Sequence, residues 1–120
     1  MSEDPFERRR SERRYALKFL DYEIVAADGK VTGRGLARTL NVSETGLRIE
    51  TGQFFEPGQK LRITLSLNND LVQVDGQIVN SQPETEELCS SGVMFLKFDE
   101  AAYSTYRRHF DHLKTAMDDT

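Results

Sequence analysis

The chain has 120 residues, of which 38% are hydrophobic and 30% are charged, and its formal net charge is -4 at pH 7. That length suits a single domain with one core, and the composition predicts a globular fold. The negative charge argues against a broad nucleic-acid surface, because such surfaces are usually basic.

The sequence carries no signal for export or membrane insertion. No apolar run approaches the roughly 20 residues that a membrane-spanning helix needs. The N-terminal arginines are not followed by the apolar stretch of a secretory signal. The single cysteine, Cys89, has no partner for an internal disulfide. We therefore expect a cytoplasmic protein that does not associate with a membrane.

The first feature along the chain is a cluster of arginines. The segment ERRRSERR, residues 7–14, holds five arginines and two glutamates, so its local charge is +3 and the remaining residues sum to -7. It is a local basic patch in an acidic chain. A charged N-terminal run is by itself most typical of a solvated arm. We treat residues 7–14 as a candidate ligand-binding arm and residues 1–6 as a flexible N-terminus.

Turn signals divide residues 15–98 into short strands. The first strand lies in LKFLDYEIV, and the pair Asp28-Gly29 that follows it favours a tight hairpin. A second strand returns from about Lys30. The third follows the segment NVSETG and alternates apolar and charged residues in LRIE, which indicates a strand with one buried face.

The next two strands show the clearest alternation. Leucine and isoleucine occupy every second position of KLRITLSL after the turn pair Pro57-Gly58. The strand LVQVDGQIV follows the turn residues Asn68-Asn69-Asp70, so the two strands are expected to form a hairpin. The polar segment SQPETEELCSS is expected to be a loop. The last strand, VMFLKF, is apolar on both faces, which predicts that another element covers its outer side.

A helix is expected over residues 99–117, with Asp99 as its N-cap and residues 118–120 as a tail. Its apolar stripe at three- and four-residue steps comprises Ala102, Tyr103, Tyr106, Phe110, Leu113 and Met117. This helix is the predicted cover of the last strand. Six short antiparallel strands and one helix predict a mainly β fold, a small barrel with a C-terminal α-helix, because closure removes exposed sheet edges.

The arginine segment contains the motif RxxxR in two overlapping frames, Arg9 with Arg13 and Arg10 with Arg14. An arginine fork can bind the adjacent O6 and N7 acceptors of guanine bidentately. Guanidinium planes also stack on purine faces, and their charge neutralises phosphates. The residue type therefore suits a guanine nucleotide.

A second motif, NxSxxG, comprises Asn41, Ser43 and Gly46 at the junction of two predicted strands. Side chains two apart on an extended chain share a face, so Asn41 and Ser43 are expected to converge on one ligand. Asn41 can accept a hydrogen bond from guanine, Ser43 can bind base or phosphate, and Gly46 can let the chain turn. Alone the motif is weak evidence, since these residues are common in any turn.

The two motifs, in this order and about thirty residues apart, resemble those of the PilZ domain, a bacterial receptor for cyclic di-GMP. Gly92-Val93-Met94-Phe95 is similar to the Gly-Val-x-Phe strand late in such domains. The resemblance extends from about residue 7 to residue 113. It implies a split-barrel fold of six strands, cyclic di-GMP as the ligand, and no cofactor.

The resemblance also implies which residues bind the ligand. The frame of Arg9 and Arg13 matches the family's RRRxxR run best. The family often carries Asp where this chain has Asn41, and an amide lacks the carboxylate's charge and second acceptor oxygen. The expected cyclic di-GMP-binding residues are Arg9, Arg10, Arg13, Asn41, Ser43 and Gly46, with Arg8, Arg14 and Gly92 as secondary candidates.

The function implied is that of an effector that changes conformation on binding cyclic di-GMP and signals to an unidentified protein partner. One alternative is a PilZ-like adaptor that no longer binds nucleotide, which the variant Asn41 and the acidity leave open. A less favoured alternative is a small barrel whose arginine arm binds nucleic acid, although such sites normally add exposed aromatics and a wider basic groove. Homodimerisation through the helix also stays open.

The sequence shows no recognisable catalytic machinery. His109 and His112 lie three apart on the predicted helix, but no further His is present, and a metal site would need carboxylates from elsewhere in the chain. Cys89 lies in a polar segment without a neighbouring histidine, and neither a Gly-rich phosphate loop nor a nucleophile elbow is present. We expect neither catalysis nor a bound metal.

Overall fold

The computed structural model describes residues 19–67 and 70–118 and, within the C-terminal helix, side chains as far as Phe110. In this part of the chain six strands precede one helix: β1 (Phe19–Val25), β2 (Val31–Val42), β3 (Gly46–Thr51), β4 (Lys60–Leu67), β5 (Asp70–Pro83), β6 (Cys89–Phe98) and α1 (Glu100–Asp118). The predictions for residues 1–6 and for the arginine-rich arm, residues 7–14, lie outside the described residues.

The six strands form a closed antiparallel barrel in the order β1-β2-β3-β6-β5-β4. Strand β1 completes the closure, because it pairs with β2 on one side and with β4 on the other. None of the described strands is therefore left at a sheet edge where another chain could pair. The predicted six-stranded barrel is confirmed.

Alternating apolar residues fill the interior of the barrel. On β4 the buried members, each at most 1% exposed, are Leu61, Ile63, Leu65 and Leu67. Phe55, from the segment between β3 and β4, is also fully buried and packs edge-to-face on Tyr22, with ring centroids 5.3 Å apart. The barrel interior is thus a packed side-chain core rather than a cavity.

The predicted turn glycines adopt the backbone conformation that their sequence context requires. Gly29 has a φ of 90° and Gly58 a φ of 95°, both in the left-handed region that glycine enters without steric cost. In the β1–β2 hairpin, the Gly29 amide donates to the Ala26 carbonyl at 2.8 Å.

The loop between β5 and β6 is shorter than the sequence predicts. The polar segment expected to be a loop spans residues 81–91, but β5 continues to Pro83 and β6 begins at Cys89. The hydroxyls of Ser81 and Ser91 are hydrogen-bonded across the two strands at 2.8 Å. Since β6 pairs with both β3 and β5 here, backbone hydrogen bonds on two sides outweigh the weak strand propensity of these polar residues.

Helix α1 begins as predicted, but it does not cover the outer side of β6. The Ala102 amide donates to the Asp99 carboxylate at 3.2 Å, which confirms the N-cap. The outward side chains of Met94 and Leu96 remain 42% and 44% exposed. The expectation that the helix covers them is wrong.

The helix instead packs across one mouth of the barrel. A register shift against β5 leaves Leu96 as an extra residue, so that Phe98 faces the same side as Phe95. These two rings meet Tyr106 from the helix, each with a centroid distance of 5.5 Å. Tyr106 is 0% exposed and lies at the centre of the aromatic cluster that it forms with Phe95 and Phe98.

The adjacent residues Phe54 and Phe55 provide a matched test of the core. We expect Phe55→Ala to lower the free energy of unfolding by about 3–5 kcal/mol, because it leaves a cavity beside Tyr22. Phe54, which is 50% exposed, serves as the control. Its replacement by Ala should change stability by about 0.5 kcal/mol or less. If urea denaturation shows the same loss of stability for both variants, the burial of Phe55 in the barrel core is contradicted.

Candidate ligand-binding site

The NxSxxG motif forms the tight turn between β2 and β3. The Ser43 hydroxyl accepts hydrogen bonds from the Thr45 amide at 3.2 Å and the Gly46 amide at 3.0 Å, and it donates to the Gly46 carbonyl at 3.2 Å. A serine hydroxyl has one donor and two acceptor positions, so all three are used. Ser43 therefore holds the turn in one conformation.

Gly46 is required because no side chain fits at this position, not because of its backbone angles. A Cβ atom at this position would lie 2.1 Å from the Val93 carbonyl oxygen on β6. Among the described residues only Gly29 and Gly58 have a positive φ, so Gly46 does not serve to turn the chain as expected. It instead allows β3 to lie close to β6. Any side chain here would push β3 away from β6.

Asn41 is exposed near the end of β2, beside the turn. Its side-chain oxygen accepts a hydrogen bond from the Val42 amide at 2.8 Å. Its amide NH2 group has no hydrogen-bond partner among the described residues. Asn41 thus retains two donors and one acceptor lone pair for a ligand.

A row of polar residues crosses the outer face of four adjacent strands at this point. Asn41 on β2 pairs with Arg48 on β3, Arg48 pairs with Gly92 on β6, and Gly92 pairs with Asn80 on β5. Directly opposed residues point to the same side of a sheet. We call these four residues the polar row.

Within the polar row, Arg48 reaches across β6. Its two terminal nitrogens donate to the Asn80 side-chain oxygen and to the Ser90 hydroxyl, each at 3.0 Å. Sequence analysis missed Arg48 and Asn80 as site residues. The alternation Leu47-Arg48-Ile49 indicates an outward Arg48, but its position opposite Asn41 follows only from the strand register.

Glu84 anchors the far side of this network. It accepts hydrogen bonds from the Gln82 side-chain nitrogen at 2.9 Å and the Ser90 hydroxyl at 2.7 Å. These two hydrogen bonds, with the nearby positive charge of Arg48, hold the pKa of Glu84 below its usual value. The carboxylate therefore stays ionised and orients Ser90 beneath the Arg48 guanidinium.

Helix α1 is connected to the same turn by two adjacent residues. The Tyr106 hydroxyl donates to the Ser43 carbonyl at 2.7 Å, and Arg107 forms an ion pair with Glu44. Burial raises the pKa of Tyr106 well above its ordinary value, with a smaller contribution from Tyr103. The phenol therefore stays protonated and continues to donate this hydrogen bond at physiological pH.

The structure thus brings together four of the residues predicted for the site. Asn41, Ser43, Gly46 and Gly92 lie on three neighbouring strands or on the turn between two of them. The five predicted arginines, Arg8, Arg9, Arg10, Arg13 and Arg14, lie outside the described residues, so their contribution stays a prediction.

The described residues contain no cluster of three or more His, Cys, Asp or Glu side chains arranged to hold a metal ion. His109 lies 3.6 Å from the Asp70 carboxylate, while the side chain of His112 is outside the described part. Among the described elements, no helix combines the length and apolar character needed to cross a membrane.

The closed barrel, the helix across its mouth and the polar turn on its outer face define a small β-barrel domain with a candidate binding surface on its outer wall. A family model, the PilZ domain, matches residues 7–112, and the chain belongs to that family. PilZ domains bind cyclic di-GMP and act as receptors rather than enzymes. The matched range contains the residues of both the RxxxR and the NxSxxG segment.

A search of solved structures finds the same fold in a distant relative. The crystal structure of the PilZ domain of CeSA from a cellulose-synthesizing bacterium matches with a TM-score of 0.53 and 12% sequence identity, over 83% of this chain and 93% of that chain. At this identity the similarity concerns the fold alone. No curated protein sequence gives a significant match.

The burial of the Tyr106 hydroxyl, which raises its pKa, predicts a specific pH dependence of stability. An unfolded tyrosine ionises near its ordinary pKa of 10.0, whereas folded Tyr106 keeps its proton at higher pH. Its contribution to stability is therefore complete below pH 10.0 and is lost as the pH rises above that value.

We expect Tyr106→Phe to lower the free energy of unfolding at pH 7 by about 1–2 kcal/mol, because the Ser43 carbonyl loses its partner. The variant should also lose stability less steeply above pH 10.0 than the unsubstituted protein does. Tyr103→Phe is the matched control, since its hydroxyl has no hydrogen bond among the described residues. Identical denaturation curves for both variants from pH 7 to pH 11 would contradict the assignment.

Proposed function

We propose that this protein is a cytoplasmic receptor for the second messenger cyclic di-GMP and that it catalyses no reaction. The observation that carries the proposal is the PilZ family match over residues 7–112, which spans both candidate motifs in one domain. The polar turn and the polar row on the outer face of the barrel support it. Arg9, Arg10 and Arg13 are the proposed partners of this face.

The chemistry of cyclic di-GMP explains this combination. The ligand carries two phosphates and two guanines, and each guanine offers O6 and N7 to an arginine fork. Arginine also supplies the positive charge that the phosphates require. A bidentate arginine contact discriminates against the wrong base by about 1–3 kcal/mol, so two such contacts are sufficient to select guanine.

Asn41 and Ser43 have different roles in this proposal. Asn41 keeps two donors and one acceptor position open, which fits the edge of a guanine. The Ser43 hydroxyl is fully used within the turn that follows Asn41, so a direct bond from Ser43 to the ligand requires one of these hydrogen bonds to be exchanged.

We further propose that binding is transmitted to a protein partner through helix α1. The turn that carries the NxSxxG motif is bonded to this helix by Tyr106 and Arg107. An arm that closes over the turn alters the surroundings of Glu44 and hence its ion pair with Arg107. The helix and the surface beside it would then present a different face to the partner.

Calorimetric titration tests the ligand and the arm together. We expect cyclic di-GMP to bind more tightly than GMP or cyclic di-AMP, and Arg13→Ala to weaken binding at least tenfold, about 1.4 kcal/mol. Arg34→Ala is the control, because Arg34 is 74% exposed and pairs with Glu23 on a different part of the barrel.

Unchanged affinity in Arg13→Ala would refute the arm assignment. No binding of cyclic di-GMP would favour the adaptor alternative, and binding of oligonucleotides alone would favour the nucleic-acid alternative.

Hydrogen exchange tests whether the arm becomes ordered on binding. We expect saturating cyclic di-GMP to slow amide exchange in residues 7–14, because closure over the ligand protects their amides. Strand β4, on the opposite side of the barrel from β3, should exchange at the same rate with and without ligand. If exchange in residues 7–14 does not change, the arm-closure mechanism is wrong.

A further inference from the structure

Four arginines lie on the strands of the barrel, and one of them differs from the others in its partners. Arg34, Arg38 and Arg62 each have a carboxylate oxygen within 3.2–3.7 Å. Arg48 forms no ion pair within the described part of the chain and is held by two neutral oxygens instead. The nearby carboxylate, Glu84, acts on Arg48 through Ser90 rather than by direct contact.

The two hydrogen bonds of Arg48 fix its guanidinium over β6. Arg48 on β3 and Asn80 on β5 both pair with Gly92, from opposite sides of β6. A terminal nitrogen of Arg48 donates to the Asn80 side-chain oxygen at 3.0 Å. Gly92 has no side chain to obstruct this crossing. The second bond, to Ser90, holds the other terminal nitrogen and so fixes the plane of the group.

This arrangement holds the Arg48 guanidinium in place while part of the residue stays exposed. Both terminal nitrogens already have acceptors, while the residue as a whole remains partly exposed. A guanidinium fixed in this way can stack its plane on a purine ring. Two of its five N–H donors are used, so the group keeps donors for a ligand as well as its face.

The position of Arg48 places this surface within the candidate site. It pairs directly with Asn41, and Gly46 precedes it by two residues on the same face of β3. Side chains of directly opposed residues lie about 4.5–5.5 Å apart at Cβ. The Arg48 guanidinium itself lies over β6, two strand spacings of about 4.8 Å each from β2. A ligand held by Asn41 therefore reaches the Arg48 plane by extending across β3, and a dinucleotide with two guanines is long enough to do so.

We propose that Arg48 is an additional recognition residue of the dinucleotide site, and that its guanidinium face is a stacking platform for one guanine. The inference rests on the proposed function, because it assumes that the ligand is cyclic di-GMP. Asn80 and Ser90 are positioning residues that hold the guanidinium over β6. Lysine cannot replace Arg48, since an ammonium group has no plane to stack.

Binding measurements test the platform against simple charge attraction. We expect Arg48→Met and Arg48→Lys each to weaken cyclic di-GMP binding about tenfold, the effect of losing one base-stacking contact. Arg62→Met is the matched control, because Arg62 is a partly exposed strand arginine on β4, across the barrel from β3. It should retain affinity within about twofold. Native affinity in Arg48→Met, or in Arg48→Lys, overturns the proposal.

A second measurement uses the unsubstituted protein and does not depend on the folding of any variant. The Nε–H resonance of Arg48, assigned by its absence from the Arg48→Lys spectrum, should move upfield when saturating cyclic di-GMP places a guanine ring over it. If the ligand binds and this resonance stays in place, the platform is refuted while the receptor function stands. If cyclic di-GMP does not bind, both proposals fail together.

Discussion

The contact between Gly46 on β3 and the Val93 carbonyl on β6 sets the geometry of the candidate site. With a Cβ-to-oxygen separation of only 2.1 Å available, only glycine allows the two strands to lie this close. That approach fixes the register that places Arg48 opposite Gly92, and it starts β3 immediately after the turn that Ser43 closes. Strand pairing and site geometry are therefore consequences of one steric constraint.

Much of the fold was predictable because its signals are local. The alternation in KLRITLSL, the Asp28-Gly29 and Pro57-Gly58 turns and the Asp99 cap each depend on residues a few positions apart. The barrel itself followed from the number of short strands. The features that the sequence predicts wrongly depend on residues distant in sequence. The polar ends of β5 and β6 are strands because they pair with neighbouring strands, and the extra residue at Leu96 directs Phe98 into the mouth of the barrel.

The candidate site was predictable in part for the same reason. Asn41, Ser43 and Gly46 form a compact motif, so they were identified from the sequence. The sequence did not reveal that the Ser43 hydroxyl already makes three hydrogen bonds within the turn. Arg48 was missed because its role depends on being opposite Asn41 and on the absence of a side chain at Gly92. Those relationships exist only after the strands are paired.

The packed interior and the helix across the barrel mouth have a consequence for how any ligand is held. A small molecule cannot be enclosed within a barrel filled by residues such as Ile63 and Phe55, so it must bind to the outside wall. On an open surface, attraction between cationic side chains and phosphates is screened by dissolved ions over about 8–10 Å at ordinary salt concentrations. The affinity for a phosphate-bearing ligand on this wall is therefore expected to fall as the ionic strength of the solution rises.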